Sequence, residues 1–163
     1  MALRKVRTIG DPILYKKSKD IKNIDEKLLS LIEDMKETLI KENGVGLSAV
    51  QVGVLKRVIV VQPEADGEIK VYLNPTIVHE CGSSIMNEGC LSVPGEYGPV
   101  ERPEKIKLKY VDVDGNELEK EIEGFEARIC CHEIDHTNGI LYTMKLYEGE
   151  WDDENDEEID EEI

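Results

Sequence analysis

FEARICCHEIDHTNG, residues 125–139, is the stretch on which the fold and the chemistry of this chain depend. Its pattern predicts a helix from about Phe125 to Asn138, and Gly139 is suited to cap the C-terminal end of that helix. Side chains four residues apart lie on one face of a helix, so His132 and His136 are expected to point the same way. The sequence therefore predicts a late helix that presents two imidazoles side by side.

These histidines belong to the pattern His132-Glu133-Ile134-Asp135-His136. Two imidazoles at this spacing can bind one divalent ion, and Glu133 then lies beside the ion without binding it. Such a glutamate can accept a proton from water and pass it to a leaving amine. We therefore predict a hydrolytic metal site with His132 and His136 as ligands and Glu133 as a catalytic residue.

A catalytic centre of this kind needs a third protein ligand. The third histidine of metzincin proteases is excluded, because Tyr142 stands at the expected position. The glutamate ligand of thermolysin-like proteases would have to come from the acids near the end of the chain, such as Glu148, Glu150 or Glu154. Cys90 is the other candidate, since its thiolate suits iron or zinc and it lies in a turn-prone stretch, residues 88–92, between predicted strands.

Outward from this helix, the remaining patterns predict one further helix and several antiparallel strands. An apolar stripe predicts a helix from Asp25 to Asn43, with Gly44 placed to end it. Strands are predicted at residues 56–62 and 69–73, and a hairpin at residues 105–113 and 117–122 around Asp114-Gly115. The fold class is therefore α+β, with antiparallel β-strands packed around a C-terminal metal-binding helix and with an N-terminal helix.

Length and composition indicate one self-folding domain followed by an acidic tail. The 163 residues are 40% hydrophobic, which is in the globular range. The formal charge is −16, but residues 148–163 hold eleven acids and no base, which leaves about −5 for the rest. We predict a catalytic domain at residues 1–147 and a solvated, flexible tail at 148–163.

The charge and the apolar pattern also limit the partners and the location. A strongly negative surface repels phosphate backbones, so we expect no DNA or other nucleic acid as a general partner. No segment approaches the roughly 20 apolar residues of a membrane span, and the N-terminus is unlike a signal peptide. These features predict a cytoplasmic protein without a membrane partner, and a monomer is the default expectation.

Three separated motifs resemble those of the peptide deformylases. They are Gly44-Val45-Gly46-Leu47-Ser48-Ala49-Val50-Gln51, Glu88-Gly89-Cys90-Leu91-Ser92 and His132-Glu133-Ile134-Asp135-His136, in the family's order and spacing. The likeness extends to Gly10-Asp11-Pro12 and to Asn138-Gly139, so it covers nearly the whole chain up to about residue 147. Ser48 replaces the family's more common alanine, and Cys131 stands where a glutamine usually precedes the first histidine.

The resemblance implies a role for each matching residue. Cys90, His132 and His136 would bind one divalent ion, most often Fe²⁺ in the cell, with Zn²⁺, Ni²⁺ or Co²⁺ as substitutes. Glu133 would move the proton, and the side-chain amide of Gln51 with the backbone N–H of Leu91 would stabilise the oxyanion. The substrate peptide would lie extended along Val45, Gly46 and Gly89, with its methionine side chain near Ile129.

The implied reaction is removal of the N-formyl group from the formyl-methionine of newly made bacterial polypeptides, with release of formate. Those nascent polypeptides are the expected partners, and the ribosome is a second candidate. Two other functions remain open at this point. One is a thermolysin-like metallopeptidase with an acidic third ligand, and the other is a metal-binding domain without enzymatic activity.

Overall fold

The computed structural model describes residues 2–151 and residue 163. Helix α1 spans Glu26–Lys41, and Asp25 caps it by accepting the backbone N–H of Leu28. Helix α2 spans Gly124–Thr137. Both helices fall where the apolar patterns predict them, whereas the predicted tail, residues 148–163, lies mostly outside the described residues.

The strands form two antiparallel sheets. A five-stranded sheet has the order β1-β2-β3-β6-β7, and a two-stranded sheet consists of β4 and β5. Their bounds are β1 Gly46–Ser48, β2 Val58–Val61, β3 Lys70–Cys81, β4 Ser84–Cys90, β5 Val93–Arg102, β6 Lys105–Val111 and β7 Glu117–Glu123. Two helices with antiparallel sheets confirm the predicted α+β class.

Two hairpins agree with the predicted pairings, but one strand is longer than its pattern suggested. β6 pairs with β7 across the predicted Asp114-Gly115 turn, and β2 pairs with β3. β3 continues from the predicted end at Leu73 to Cys81, because its second half pairs with β6 across two register irregularities. Irregular pairing breaks the two-residue alternation from which a strand is recognised in a sequence.

The surroundings of Cys90 differ from the prediction. Residues 88–90 are the end of β4 rather than part of a turn-prone stretch, and only Leu91 and Ser92 form the connection to β5. Cys90 pairs with Val93 across this short turn. A strand, rather than a loop, therefore holds the cysteine in place.

Helix α2 packs against β1 and β2 and carries the histidines into the interior. Its buried residues Ala127, Ile129 and Cys130 join an apolar cluster with residues of the large sheet. α1 covers a second cluster on that sheet, built on Leu28, Ile32 and Met35. No helix in the described part of the chain combines the length and the apolar character needed to cross a membrane.

Candidate metal centre

Helix α2 and strand β4 bring together three side chains that can bind a metal. Potential ligand atoms of Cys90, His132 and His136 all lie within 4.8 Å of one another. All three residues are buried, and Cys90 Sγ lies 3.3 Å from His136 Nε2. One thiolate and two imidazoles at such distances suit a tetrahedral ion that keeps its fourth position open.

The polar partners of the histidines fit this role. His132 Nδ1 lies 2.8 Å from Glu88 Oε1, and since a carboxylate accepts, the imidazole donates from Nδ1. His132 Nε2 and His136 Nδ1 are buried and have no hydrogen-bond partner among the described residues. A carboxylate that fixes one ring nitrogen and leaves the other available is the usual support of a histidine ligand.

The pKa values of the two histidines differ. Burial, with the neighbouring charges of His132 and Arg102, lowers the pKa of His136 well below its usual value, so this imidazole is neutral. Burial also opposes charge on His132, but the nearby thiol of Cys90 and the hydrogen bond with Glu88 outweigh it and raise the pKa of His132 to about 10. An ion bound at His132 would therefore displace a proton.

Glu133 lies in the same interior region and is completely buried. Burial raises the pKa of its carboxyl to about 7, although the charge of His132 and a hydrogen bond from Ser48 act in the opposite direction. Ser48 Oγ lies 3.2 Å from Glu133 Oε1 and donates to the backbone oxygen of Glu133 at 2.7 Å. A carboxyl with a pKa near neutrality can both accept and return a proton.

Gln51 lies in the 3₁₀ turn Ala49–Val52 and is fully buried. Its Oε1 accepts the backbone N–H of Ser48 at 2.9 Å, so the amide has a fixed orientation. Its Nε2 donates to Ser92 Oγ at 3.0 Å and lies 3.7 Å from Cys90 Sγ. The donor group of Gln51 is therefore beside the cysteine.

Glycines let the first motif approach the other two. A Cβ on Gly46 would lie 2.6 Å from Ile129 Cγ2 and 2.7 Å from Glu133 Oε2, and a Cβ on Gly44 would lie 2.8 Å from Leu91 Cδ1. Val45 and Gly89 are buried close to these positions in the chain, and Leu91 is half-buried. The structure thus brings all ten predicted site residues into one region.

Glu88 joins the site to the rest of the protein in a way that no local sequence signal indicates. Its carboxylate accepts Arg102 Nε at 2.9 Å and Nη2 at 3.0 Å, and it accepts Arg128 Nη1 at 2.7 Å. These three residues are buried, and Arg102 also pairs with Asp135 at 2.6 Å. Although burial alone would raise it, hydrogen bonds from His132 and Arg102 hold the pKa of Glu88 well below its usual range.

The Glu88→Gln variant is expected to be less stable by roughly 3–5 kcal/mol, because it leaves the buried Arg128 without its carboxylate partner and Arg102 with Asp135 alone. Urea unfolding measures this as a lower midpoint. Glu101→Gln is the matched control: Glu101 is exposed on β5, and its substitution should change the stability by less than about 0.5 kcal/mol. Equal midpoints for the two variants would contradict the assigned role of Glu88.

The other predicted candidates are outside this cluster. Glu148 and Glu150 are exposed and Glu154 lies outside the described residues, so none of them joins the donor cluster in the described part of the chain. His79, the third histidine of the sequence, is exposed on β3. Cys131 is buried, and burial raises the pKa of its thiol to about 12. It is therefore a neutral thiol.

The fold and the donor cluster together are those of a metal-dependent hydrolase. The comparison with known families identifies the hydrolase family to which this chain belongs. The model of the family described as Polypeptide deformylase matches residues 3–151. The chain therefore belongs to the peptide deformylase family, whose members remove the N-formyl group from nascent polypeptides, and this is its activity.

Individual relatives and solved structures agree with this assignment to the peptide deformylase family. The peptide deformylase of Caldicellulosiruptor bescii is 51% identical over 146 residues, covering 90% of this chain and 87% of the relative. Peptide deformylase 1 of Clostridium acetobutylicum is 46% identical, covering 92% and 99%. The crystal structure of peptide deformylase from Thermotoga maritima is 37% identical, with a TM-score of 0.86 over 89% of this chain and 98% of that one.

Proposed function

We propose that Cys90, His132 and His136 hold one divalent ion and that Glu133 moves the proton during deformylation. The observation that carries this proposal is the single buried region that contains both the three donor atoms and a carboxyl with a pKa near 7. An ion at these ligands would supply Lewis acidity, polarising the formyl carbonyl and making water a nucleophile near neutral pH.

Glu133 accepts the proton of the attacking water and returns it to the leaving nitrogen of methionine. A raised pKa suits both steps, since the carboxylate form accepts and the acid form donates. Ser48 supports the position of Glu133 through its hydroxyl, which contacts both the backbone oxygen and the carboxylate of that residue. Formate and a free amino terminus are the products.

Gln51 and Leu91 stabilise the negative charge that develops on the formyl oxygen. The amide of Gln51 is held by Ser48 and Ser92 with its Nε2 close to Cys90. The backbone N–H of Leu91 follows directly after Cys90 in the chain. Donors that are oriented before the reaction stabilise a developing oxyanion without the cost of reorganisation.

The substrate is the formyl-methionyl end of a nascent polypeptide. Gly46 is the first residue of β1, an edge of the five-stranded sheet, and Val45 directly precedes it; Gly89 lies in β4. An extended peptide can add to such an edge by backbone hydrogen bonds. Ile129, completely buried on α2, contributes apolar surface for the methionine side chain.

Fe²⁺ is the ion we propose for the cell, because a thiolate with two imidazoles accepts iron as well as zinc, nickel or cobalt. Protein purified without oxygen and loaded with Fe²⁺ should release formate rapidly from a short formyl-methionyl peptide. Exposure to air should abolish this activity by oxidation of the iron–thiolate site, whereas the zinc-loaded protein should have the same activity before and after exposure. Metal-loaded protein that cleaves unformylated peptides but releases no formate would contradict the proposal.

The proposal also includes the domain boundary, the oligomeric state and the cellular location of the enzyme. We place the catalytic domain at residues 1–147 and an acidic tail at 148–163, since the family match ends at residue 151. The enzyme acts as a monomer in the bacterial cytoplasm, where formylated chains leave the ribosome, a second candidate partner. Size-exclusion chromatography with light scattering and co-sedimentation with ribosomes test these two statements.

A further inference from the structure

Ile163, the last residue of the sequence, is buried inside the protein. Its exposed fraction is 0%, and it belongs to the apolar cluster that contains Val45 and Ile129. Its backbone N–H donates to the carbonyl oxygen of Gly89 at 3.2 Å. The chain thus returns one of its own residues to the neighbourhood of Cys90.

The surroundings of Ile163 coincide with the proposed substrate site. Val45, Gly89 and Ile129 are three of the four residues to which substrate binding is assigned above. The hydrogen bond to Gly89 is of the kind that an extended peptide makes when it adds to a strand edge. An aliphatic side chain in this apolar cluster stands where the methionine side chain of a substrate is expected.

The sequence before Ile163 makes this burial notable. Nine of the eleven residues at positions 152–162 are acidic, and Ile159 is the one apolar residue among them. Acidic side chains favour solvent, whereas an isoleucine gains free energy by leaving water. Burial is therefore favourable in free energy for the side chain of Ile163, whereas it would be unfavourable for acidic side chains.

We propose that Ile163 binds in the substrate site as an intramolecular competitor of the formyl-methionyl peptide. The proposal rests on the substrate site assigned above and adds a form of regulation to it. Tethering to the same chain gives Ile163 an effective concentration on the order of millimolar. A single side chain with one hydrogen bond binds with a dissociation constant of about 1 mM. The docked form should therefore raise the apparent KM by roughly two- to tenfold.

The Ile163→Asp variant in the full chain tests this competition. A charge cannot enter the apolar cluster without a large desolvation cost, so the docked form should be lost. KM for a short formyl-methionyl peptide should fall by roughly two- to tenfold, while kcat stays the same, because a competitor affects only the free enzyme. Ile159→Asp, the same substitution four residues earlier, is the matched control and should leave both constants unchanged.

Three outcomes of these kinetics would overturn the proposal. They are an unchanged KM in Ile163→Asp, an equal fall in KM for Ile159→Asp, and a KM of the parent that rises with enzyme concentration. The last result would mean that Ile163 of a second molecule is the competitor.

Hydrogen exchange of the Ile163 amide gives a second measurement that needs no turnover. The exchange rate of this amide should be lower in the full protein than in a free peptide of residues 152–163. The ratio of the two rates should equal the fold-change in KM. Equal exchange rates would overturn docking whatever the activity. Slow exchange without formate release from any form would instead preserve the docking and refute the proposed substrate site.

Discussion

Formate release by the Glu133→Ala variant is expected to fall by about 10²- to 10⁴-fold, the usual contribution of a positioned general acid–base group. Glu133 is completely buried, and burial raises the pKa of its carboxyl to about 7. Glu88, the buried carboxylate beside His132, cannot replace it, because its bonds with Arg102, Arg128 and His132 hold its pKa well below the usual range. The measurement is kcat for a formyl-methionyl peptide, together with the metal content per chain, which should remain that of the parent.

Two further variants separate proton transfer from packing. Glu133→Gln keeps the size of the side chain and can still accept the hydrogen bond from Ser48, but it cannot carry the proton, so its kcat should be as low as that of the alanine variant. Glu126→Gln changes a partly exposed glutamate on the same helix, paired with Lys70, and should retain the parent's kcat. Near-normal activity of Glu133→Gln would exclude the proton-transfer role.

The Cys90→Ala variant is expected to lose its metal and, with it, its activity. Removing a supporting partner of a ligand already weakens metal affinity by about 10- to 100-fold, so removing a ligand itself should weaken it at least as much. Two imidazoles without the thiolate leave an incomplete site. Metal content after gel filtration should fall from about one ion per chain to nearly none, and formate release should fall in parallel.

Cys131→Ala is the matched control for this experiment. Cys131 is a buried cysteine directly before His132 on α2, but burial raises the pKa of its thiol to about 12 and it does not join the donor cluster. This variant should keep both the ion and the activity. Retention of metal by Cys90→Ala would refute the cysteine as a ligand, and a further loss on removal of residues 148–163 would favour an acidic third ligand instead.

Local patterns were sufficient to predict the helices. The apolar stripe of α1 and the glycine at position 139 after α2 are read from neighbouring residues, and so is the placement of His132 and His136 on one face. The hairpin at Asp114-Gly115 is equally local. These elements were predicted because their signals do not depend on the rest of the fold.

Other features depend on contacts between distant parts of the chain. The strand β4 was not predicted around Cys90, since its polar and glycine residues resemble a turn until β5 pairs with it. The contacts of Glu88 with Arg102, Arg128 and His132 join residues 14 to 44 positions apart. The docked position of Ile163 is likewise visible only once the fold brings Gly89 and Ile129 together.

The buried cluster around Glu88 also constrains how this sequence can evolve. Because one carboxylate serves two arginines and a histidine, any single exchange leaves the remaining buried charges with fewer partners, whereas a joint exchange of all charged partners for apolar residues need cost little. The effects of such exchanges are non-additive. Substitutions at positions 88, 102 and 128 are therefore expected to occur together. This strong epistasis would preserve the orientation of His132 as the sequence diverges.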